Sequence, residues 1–248
     1  MTGAGDTGRA TASSGSGSGA AGTYRLVVLA SGNGSNLQAL IDKLHGRPAS
    51  DGGPTIEIAL VVSDQPEARA LERAGQAGIP TAVHALEPES TREAQEAAIL
   101  KTVSEAAPDL VVLAGYMRIV PSAFVRAFPA RIINLHPALL PAFPGTTSIS
   151  DAVRHGVKVT GVTVHFVDEG LDTGPIIAQE AVRVEEGDTP ESLAVRIHAV
   201  EHELLPATVR LMAAGLVRPP LSGTRVVQVD WDAVEGPAGH DDLAAHTD

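Results

Sequence analysis

Short apolar runs alternate with longer amphipathic stretches over most of the chain. Apolar runs at 24–30, 56–63, 80–84 and 109–115 have strand character, and each precedes a segment that predicts a helix. Such alternation is typical of a parallel sheet with helices packed on both faces. The pattern therefore predicts an α/β fold with a doubly wound, mostly parallel sheet.

The pattern changes in the C-terminal part of the chain. Strand-like runs at 157–167 and 176–184 are joined by a polar, glycine-bearing loop, which predicts antiparallel strands there. A long helix is expected to follow over 190–214.

The two ends of the chain differ in composition from its middle. Residues 1–22 are mostly Gly, Ser, Ala and Thr, which bury too little apolar surface to offset chain entropy, so this N-terminal extension is predicted to be disordered. Residues 23–218 are predicted to form one folded domain. The segment 219–248 is expected to hold a short strand at 225–229 and a mobile tail.

The stretch 132–145 is the most informative part of the sequence. Its apolar strand ends in Asn134, His136 follows two residues later, and the chain then passes through three prolines that block regular structure. Ligands bind at the carboxyl ends of strands in parallel α/β sheets, so Asn134 and His136 are candidate site residues. Taken alone, they could equally be a turn cap and a packed histidine.

A glycine-rich turn, Ser31-Gly32-Asn33-Gly34-Ser35-Asn36, joins the first strand to the first helix. Glycines let the backbone approach an anion and N–H groups at a helix start donate to it, so Gly34, Ser35 and Asn36 form a candidate phosphate cradle. The dinucleotide fingerprint would need a glycine at Leu37, and the Gly-Lys-Ser/Thr of a P-loop is absent. A plain turn with Asn36 as helix cap is the alternative.

Other side chains lie where a ligand could use them. Arg92 is in the first turn of a predicted helix, where the helix dipole does not favour a cation. Met117, Ile119 and Val120 leave the carboxyl end of a strand and could line an apolar slot beside Arg118. A solvated arginine and ordinary packing under a loop would give the same pattern.

Composition narrows the classes of function. At 248 residues with 44% hydrophobic content, the chain suits one sizeable domain. Its net charge of −12, without a basic stripe, argues against nucleic acid or an anionic membrane as a main partner. It has no cysteine, no secretory signal and no apolar run near the roughly 20 residues of a membrane span, which fits a cytoplasmic protein.

The last long helix carries a motif that points to a different chemistry. His198, Glu201 and His202 fit the H-x-x-E-H pattern that places two imidazoles around zinc in some peptidases. Such a site needs a third protein ligand, and the only glutamate after Glu203 is Glu235, in the expected tail. A zinc peptidase is therefore a remote alternative.

Five sequence blocks occur here in an order that one known family shares. They are Ser31-Gly32-Asn33-Gly34-Ser35-Asn36-Leu37-Gln38-Ala39, Val112-Leu113-Ala114-Gly115-Tyr116-Met117-Arg118-Ile119, Asn134-Leu135-His136-Pro137-Ala138-Leu139-Leu140-Pro141, Val164-His165-Phe166-Val167 and Leu171-Asp172-Thr173-Gly174-Pro175-Ile176. On these blocks the chain resembles the phosphoribosylglycinamide formyltransferases, which use 10-formyltetrahydrofolate in purine synthesis. The resemblance implies a Rossmann-like formyltransferase fold, with 23–218 as the catalytic domain.

The resemblance also implies roles for individual residues. Asn134, His136 and Asp172 would be catalytic. The other matched positions would bind substrates: Gly34, Ser35 and Asn36 the phosphate of the ribonucleotide, Arg92 and Glu201 further parts of it, and Met117, Arg118, Ile119 and Val120 the pteridine and formyl end of the folate. The implied co-substrate is 10-formyltetrahydrofolate and the implied partners are small molecules, without metal or nucleic acid. A homodimer is compatible with the family, although the sequence assigns no interface.

The chemistry of these residue types agrees with the implied reaction. Formyl transfer to an amine passes through a tetrahedral oxyanion, so a site needs donors for that oxygen and a route for a proton. Asn134 and His136 could donate to the oxygen. Asp172 could stabilise the imidazolium form of His136 and take the amine proton, directly or through water. Neither a metal nor a covalent intermediate is required.

The shared catalytic residues identify a superfamily rather than one acceptor. Formyltetrahydrofolate deformylase, whose acceptor is water, is the alternative; it carries an additional domain before the catalytic one, for which 22 residues are too short. Methionyl-tRNA formyltransferase carries a further domain after it and must bind RNA, which the acidic composition does not favour. The chain departs from the family at 146–150, where histidines are common, and at His198, where the family has glutamine.

Overall fold

Ten strands and six helices form the described part of the chain, residues 22–221 and 223–231 of a computed structural model. The strands are β1 (Thr23–Leu29), β2 (Arg47–Pro48), β3 (Thr55–Ser63), β4 (Thr81–Val83), β5 (Leu110–Leu113), β6 (Ile132–His136), β7 (Val159–Phe166), β8 (Ile176–Arg183), β9 (Val217–Arg218) and β10 (Gln228–Val229). The helices are α1 (Ser35–Leu44), α2 (Arg69–Gln76), α3 (Arg92–Glu105), α4 (Ser122–Ala127), α5 (Ser148–His155) and α6 (Pro190–Ala213).

The main sheet is mostly parallel, as predicted. Its eight strands follow the order β2-β3-β1-β5-β6-β7-β8, with β4 paired to β3. β1 is parallel to β3 and to β5, and β6 is parallel to β5, whereas β7 and β8 are antiparallel additions. The chain thus leaves β1 toward β3 on one side and returns to β5 on the other. Such a reversal opens a crevice at the carboxyl ends of the strands.

Helices cover both faces of the sheet because successive strand residues point to opposite sides. In β1, Leu26 and Val28 face a core that α1, α2 and α6 cover, whereas Val27 and Leu29 face a second core under α3 and α4. All four side chains are at most 1% exposed. Burial on both faces explains the continuous apolar runs, and the doubly wound α/β prediction is confirmed.

The longest helix, α6, lies against α1 and the antiparallel strands β7 and β8. It begins with a capping box in which Thr189 Oγ1 accepts from the Ser192 amide and Ser192 Oγ accepts from the Thr189 amide. This packing carries the middle of α6 to the start of α1, where the glycine-rich turn lies. No helix in the described ranges is long and apolar enough to cross a membrane.

One C-terminal strand and one helix differ from expectation, and parts of both chain ends lie outside the described residues. The strand expected at 225–229 is reduced to Gln228–Val229, which pairs with Val217–Arg218 outside the main sheet. Helix α5 was not predicted, because 146–150 lacks apolar periodicity. The expected disorder at 1–21 and the tail at 232–248 lie outside the described residues. The domain limits remain a prediction.

We expect Gly161→Ala to destabilise the fold. An added Cβ on β7 would lie 2.2 Å from the Glu180 carbonyl oxygen and 2.6 Å from Leu139 Cδ2, so a strand must shift. Such overpacking lowers the free energy of unfolding by about 1–3 kcal/mol, measurable by urea denaturation. The control is Gly75→Ala in α2, where the space is open and alanine should stabilise by roughly 0.5–1 kcal/mol. Equal stability of the two variants would contradict this packing.

Candidate active site

The carboxyl end of β6 carries the first two predicted site residues. Asn134 and His136 are two positions apart and therefore point to the same side of the strand. β6 pairs with β7 so that Asn134 lies opposite His165 and His136 opposite Thr163. A second histidine, which the sequence did not single out as a site residue, thus faces Asn134 across the ladder.

Asp172 reaches the same place from the loop between β7 and β8. Its φ of 53° is left-handed, a conformation that Asp tolerates better than most residues. Its Oδ2 accepts a 2.7 Å hydrogen bond from the Gly145 amide, and its Oδ1 accepts one of 3.3 Å from Asn134 Nδ2. His136 Nδ1 lies 3.4 Å from Asp172 Oδ2. The structure therefore brings Asn134, His136 and Asp172 into one cluster.

The surroundings of His136 determine where its protons lie. The Nε2 atom is 2.8 Å from the Phe143 carbonyl oxygen and 3.2 Å from Ser148 Oγ. A carbonyl oxygen only accepts, so Nε2 carries a proton, and Nδ1 carries a second one only in the imidazolium form. The Asp172 carboxylate beside Nδ1 is placed to accept a hydrogen bond from that second proton. Ser148, at the start of the unpredicted α5, is a further site neighbour that the sequence analysis missed.

A neutral His165 orients the amide of Asn134. Burial lowers the pKa of His165 below its usual 6.5, so the ring is neutral near pH 7. Its Nδ1 donates to the Phe166 carbonyl at 2.8 Å, which leaves Nε2 to accept from Asn134 Nδ2 at 3.2 Å. Because the other Nδ2 proton goes to Asp172, Asn134 keeps only its Oδ1 acceptor for a ligand. The expected role of Asn134 as a donor to an oxyanion would require one of these two partners to be displaced, and it remains a prediction.

The loop between β1 and α1 is shaped for an anion. Gly34 precedes the helix with a left-handed φ of 72°, and no side chain in the described part of the chain caps this helix start. A Cβ on Gly34 would lie 2.7 Å from the Cα of Ala70, so only glycine fits. The N–H groups of Ser35 and Asn36 have no partner within the helix and lie at the positive end of its dipole. These features favour the predicted phosphate cradle.

Helix α6 brings Glu201 against this cradle. Asn36 Nδ2 donates to Glu201 Oε2 at 2.9 Å, and His198 Nδ1 lies 2.8 Å from the same oxygen. Glu201 is only 4% exposed, whereas half of the His198 side chain is accessible. The hydrogen bond to Glu201 raises the pKa of His198 above its usual 6.5. The candidate site therefore includes a buried carboxylate with a basic neighbour.

The loop Met117–Val120 borders a cleft on the other side of β1. Met117 and Ile119 are 64% and 58% exposed, so their apolar side chains are accessible to a ligand. The cleft is lined by Leu29, Ile99, Tyr116, Arg118, Val120 and Phe124, among others. Burial raises the pKa of Tyr116 to about 12, which keeps its phenol neutral. An apolar wall beside one guanidinium suits a ligand with a flat ring and polar edges.

Arg92 is not in contact with the phosphate cradle. Its Nε donates to Glu96 Oε1 at 2.8 Å, which is its only hydrogen bond within the described residues, and its side chain is 53% exposed. Glu96 also lines the cleft beside the Met117–Val120 loop. Arg92 therefore lies on the cleft side of the site, and its contact with a substrate remains a prediction.

The H-x-x-E-H motif on α6 does not form a metal cluster in the structure. His198 pairs with Glu201, and the His202 ring stacks on His198 with centroids 6.4 Å apart. Within residues 22–221 and 223–231, no group of three His, Cys, Asp or Glu side chains is placed to hold a metal ion. The geometry gives these residues hydrogen-bonding and stacking partners instead.

The fold and the cluster define an α/β enzyme with an Asn–His–Asp site at the carboxyl edge of its sheet. The profile of the family described as formyl transferase matches residues 24–209. The chain therefore belongs to the formyl transferase family.

Similar proteins and structures carry a more specific name. Phosphoribosylglycinamide formyltransferase of Bacillus subtilis (strain 168) is 44% identical over 188 residues, which are 75% of this chain and 93% of that protein. The enzyme of the same name from Mycobacterium tuberculosis (strain ATCC 25618 / H37Rv) is 47% identical over 189 residues, 76% of this chain and 85% of its own. The crystal structure of glycinamide ribonucleotide transformylase 1 from Symbiobacterium toebii is similar at a TM-score of 0.76 and 45% identity, covering 84% of this chain and 94% of that one.

We expect two histidines of the site to titrate on opposite sides of the usual imidazole value. Burial lowers the pKa of His165, whereas the bond to Glu201 raises the pKa of His198. At pH 6.5, His165 should therefore be mostly neutral and His198 mostly charged. Imidazole ¹H–¹⁵N NMR resolves both states and should place the His165 proton on Nδ1. A His165 ring that is mostly charged at that pH, or protonated on Nε2 when neutral, would contradict the assigned hydrogen bonds.

Proposed function

We propose that this enzyme transfers the formyl group of 10-formyltetrahydrofolate to the glycinamide amine of 5'-phosphoribosylglycinamide, a step of purine biosynthesis, and that residues 23–218 are its catalytic domain. The observation that supports this proposal most directly is the contact of Asp172 with both Asn134 and His136 at the end of β6. Helix α1 starts after β1, the apolar cleft lies beside the loop after β5, and this cluster lies at the end of β6, so the three features are on neighbouring strands, as a reaction between a phosphorylated amine and a folate would require. The names of the most similar proteins support the same activity.

The ribonucleotide is assigned to the α1 side of the site. Gly34, Ser35 and Asn36 would hold its phosphate through backbone N–H groups at the positive end of the helix dipole. Glu201, a buried carboxylate bonded to Asn36, would accept hydrogen bonds from hydroxyl groups of the ribose. Arg92 would contact the same substrate after leaving Glu96, because its exposed side chain is free to turn.

The folate is assigned to the cleft beside β5. Met117, Ile119 and Val120 would contact its pteridine ring, because exposed apolar side chains gain stability when a ligand covers them. Arg118, held at the cleft by Gln95, would present its guanidinium to the polar edge of the ring. This placement would bring the formyl group toward Asn134 and His136.

The transfer can be written with these side chains alone. The amine nitrogen attacks the formyl carbon, and a tetrahedral oxyanion forms. His136, as imidazolium, would donate a hydrogen bond from its Nε2–H to that oxygen, which would replace the Phe143 carbonyl oxygen as the acceptor. Asn134 Oδ1 would accept an amine N–H and so orient the nitrogen lone pair. Asp172 would take the amine proton and return it, directly or through water, to N10 of the folate as the oxyanion collapses to the formamide carbonyl and the carbon–N10 bond breaks.

One assay distinguishes this function from its alternatives. Loss of the formyl group from 10-formyltetrahydrofolate is followed by absorbance, with and without the ribonucleotide, in EDTA and with added zinc. Turnover that requires the ribonucleotide and persists in EDTA is the expected result. Turnover without an amine would identify a deformylase with water as acceptor. Turnover that is lost in EDTA and returns only with zinc would support a zinc site at His198 and His202.

We expect Asp172→Asn to retain substrate binding and lose turnover. The amide keeps an acceptor for the Gly145 N–H but carries no charge to stabilise the His136 imidazolium or accept the amine proton. The rate constant kcat should fall on the order of a hundredfold to ten-thousandfold, with Kd for both substrates nearly unchanged. Glu169→Gln is the matched control, because its exposed carboxylate in the same loop bonds Arg126 and no other side chain among the described residues. Near-normal kcat for Asp172→Asn would remove this carboxylate from the mechanism.

A further inference from the structure

Ser31 joins two loops at the edge of the sheet. It follows β1 and lies three residues before Gly34, the start of the proposed phosphate cradle. Its Oγ accepts from the Met117 amide at 3.0 Å, and its own amide donates to the Gly115 carbonyl at 3.1 Å. One residue therefore links the cradle loop to the first residue of the proposed folate wall.

A buried carboxylate holds Ser31 in this position. Asp64, at the end of β3, is 5% exposed, and its Oδ1 accepts from Ser31 Oγ at 2.6 Å. Its Oδ2 accepts from Gln65 Nε2 at 3.1 Å and lies 3.9 Å from Arg118 Nη1. Arg118 also donates to Gln95. A buried carboxylate needs such partners, because desolvation of an unpaired charge is unfavourable.

The sheet order explains why these groups meet. β3, β1 and β5 are neighbours, so Asp64, Ser31 and Met117 emerge from three adjacent carboxyl ends. Hydroxyl-to-carboxylate bonds are among the stronger hydrogen bonds of proteins, and this one is partly shielded from water. Asp64 thus holds the same Ser31 hydroxyl that accepts from the Met117 amide, and this hydroxyl links the two loops.

We propose that Ser31 and Asp64 are positioning residues that fix the Met117–Val120 loop relative to the Gly34–Asn36 loop and thereby couple the binding of the two substrates. The proposal rests on the assignment of these loops to folate and ribonucleotide. A phosphate that orders the cradle would also order Ser31, and through the Met117 amide it would lower the entropy that folate binding must remove. Such coupling is reciprocal, because each ligand must change the affinity for the other by the same factor.

Binding measurements test the coupling without requiring turnover. Calorimetry gives Kd for tetrahydrofolate, which has no formyl group to transfer, with and without saturating 5'-phosphoribosylglycinamide. In the unmodified protein the ribonucleotide should tighten tetrahydrofolate binding by about fivefold or more. In Ser31→Ala most of this factor should disappear, because the bonds to Asp64 and to the Met117 amide are both lost.

Steady-state kinetics separate positioning from general stability. Ser31→Ala should raise KM for 10-formyltetrahydrofolate by about tenfold, the effect of losing roughly one hydrogen bond, with a smaller change in kcat. Destabilisation alone would lower the active fraction and leave both KM values unchanged. The control is Ser192→Ala, which removes another serine-to-aspartate bond, that to Asp188 Oδ1 at 2.7 Å, at the start of α6. It should leave the coupling and both KM values unchanged.

Two further variants separate the role of the Asp64 charge from that of the Ser31 hydroxyl. Asp64→Asn keeps an acceptor for Ser31 but removes the charge facing Arg118, so it should retain the coupling while weakening folate binding. Ser31→Thr keeps the hydroxyl and should restore the coupling that Ser31→Ala lacks. The proposal is overturned if the unmodified protein shows no coupling, or if folded Ser31→Ala keeps it. Coupled binding without turnover would instead refute the proposed reaction and still support the coupling through Ser31 and Asp64.

Discussion

The Asp172 carboxylate is the group on which the rest of the site depends. Its side chain is 11% exposed, so its charge requires nearby donors, and these come from two segments: the Gly145 amide from the loop after β6, and the Asn134 amide and His136 ring from β6 itself. These contacts orient the imidazole ring and direct one amide proton of Asn134. Because His165 accepts the second amide proton, Asn134 Oδ1 is the atom of this amide that the proposed reaction assigns to a substrate N–H.

The sheet determines which substrates can meet at this carboxylate. β1 and β5 are adjacent, so the Gly34–Asn36 loop after β1 and the Met117–Val120 loop after β5 lie side by side. β6 is the next strand in the sheet after β5. Ser31 connects the loop after β1 with the loop after β5. Asp172, in the loop between β7 and β8, contacts Asn134 at the end of β6. A phosphate-bearing amine and a folate bound on either side would therefore share one reacting centre. Function here follows from the arrangement of loops, since the α/β fold itself serves many chemistries.

Local sequence signals predicted the fold and the position of two candidate site residues at the end of a strand. Continuous apolar runs indicated buried parallel strands, and the two-residue spacing of Asn134 and His136 placed both on one side of a strand. Contacts between distant residues were not predictable in this way: His165 meets Asn134 only through the register of β6 and β7, over 31 positions, and Ser31 meets Asp64 over 33. The contact of His198 with Glu201 is local, because positions three apart on a helix face each other, and it could have been predicted from the spacing of the two residues.

A double-mutant cycle on His136 and Asp172 tests the central claim most directly. Single-turnover rates of formyl transfer would be measured for His136→Asn, for Asp172→Asn and for the variant with both changes. If the carboxylate acts by stabilising the imidazolium, the two groups form one unit, and the double variant should be about as slow as the slower single one. Rate losses that multiply would show that the two side chains act independently, and would contradict the account.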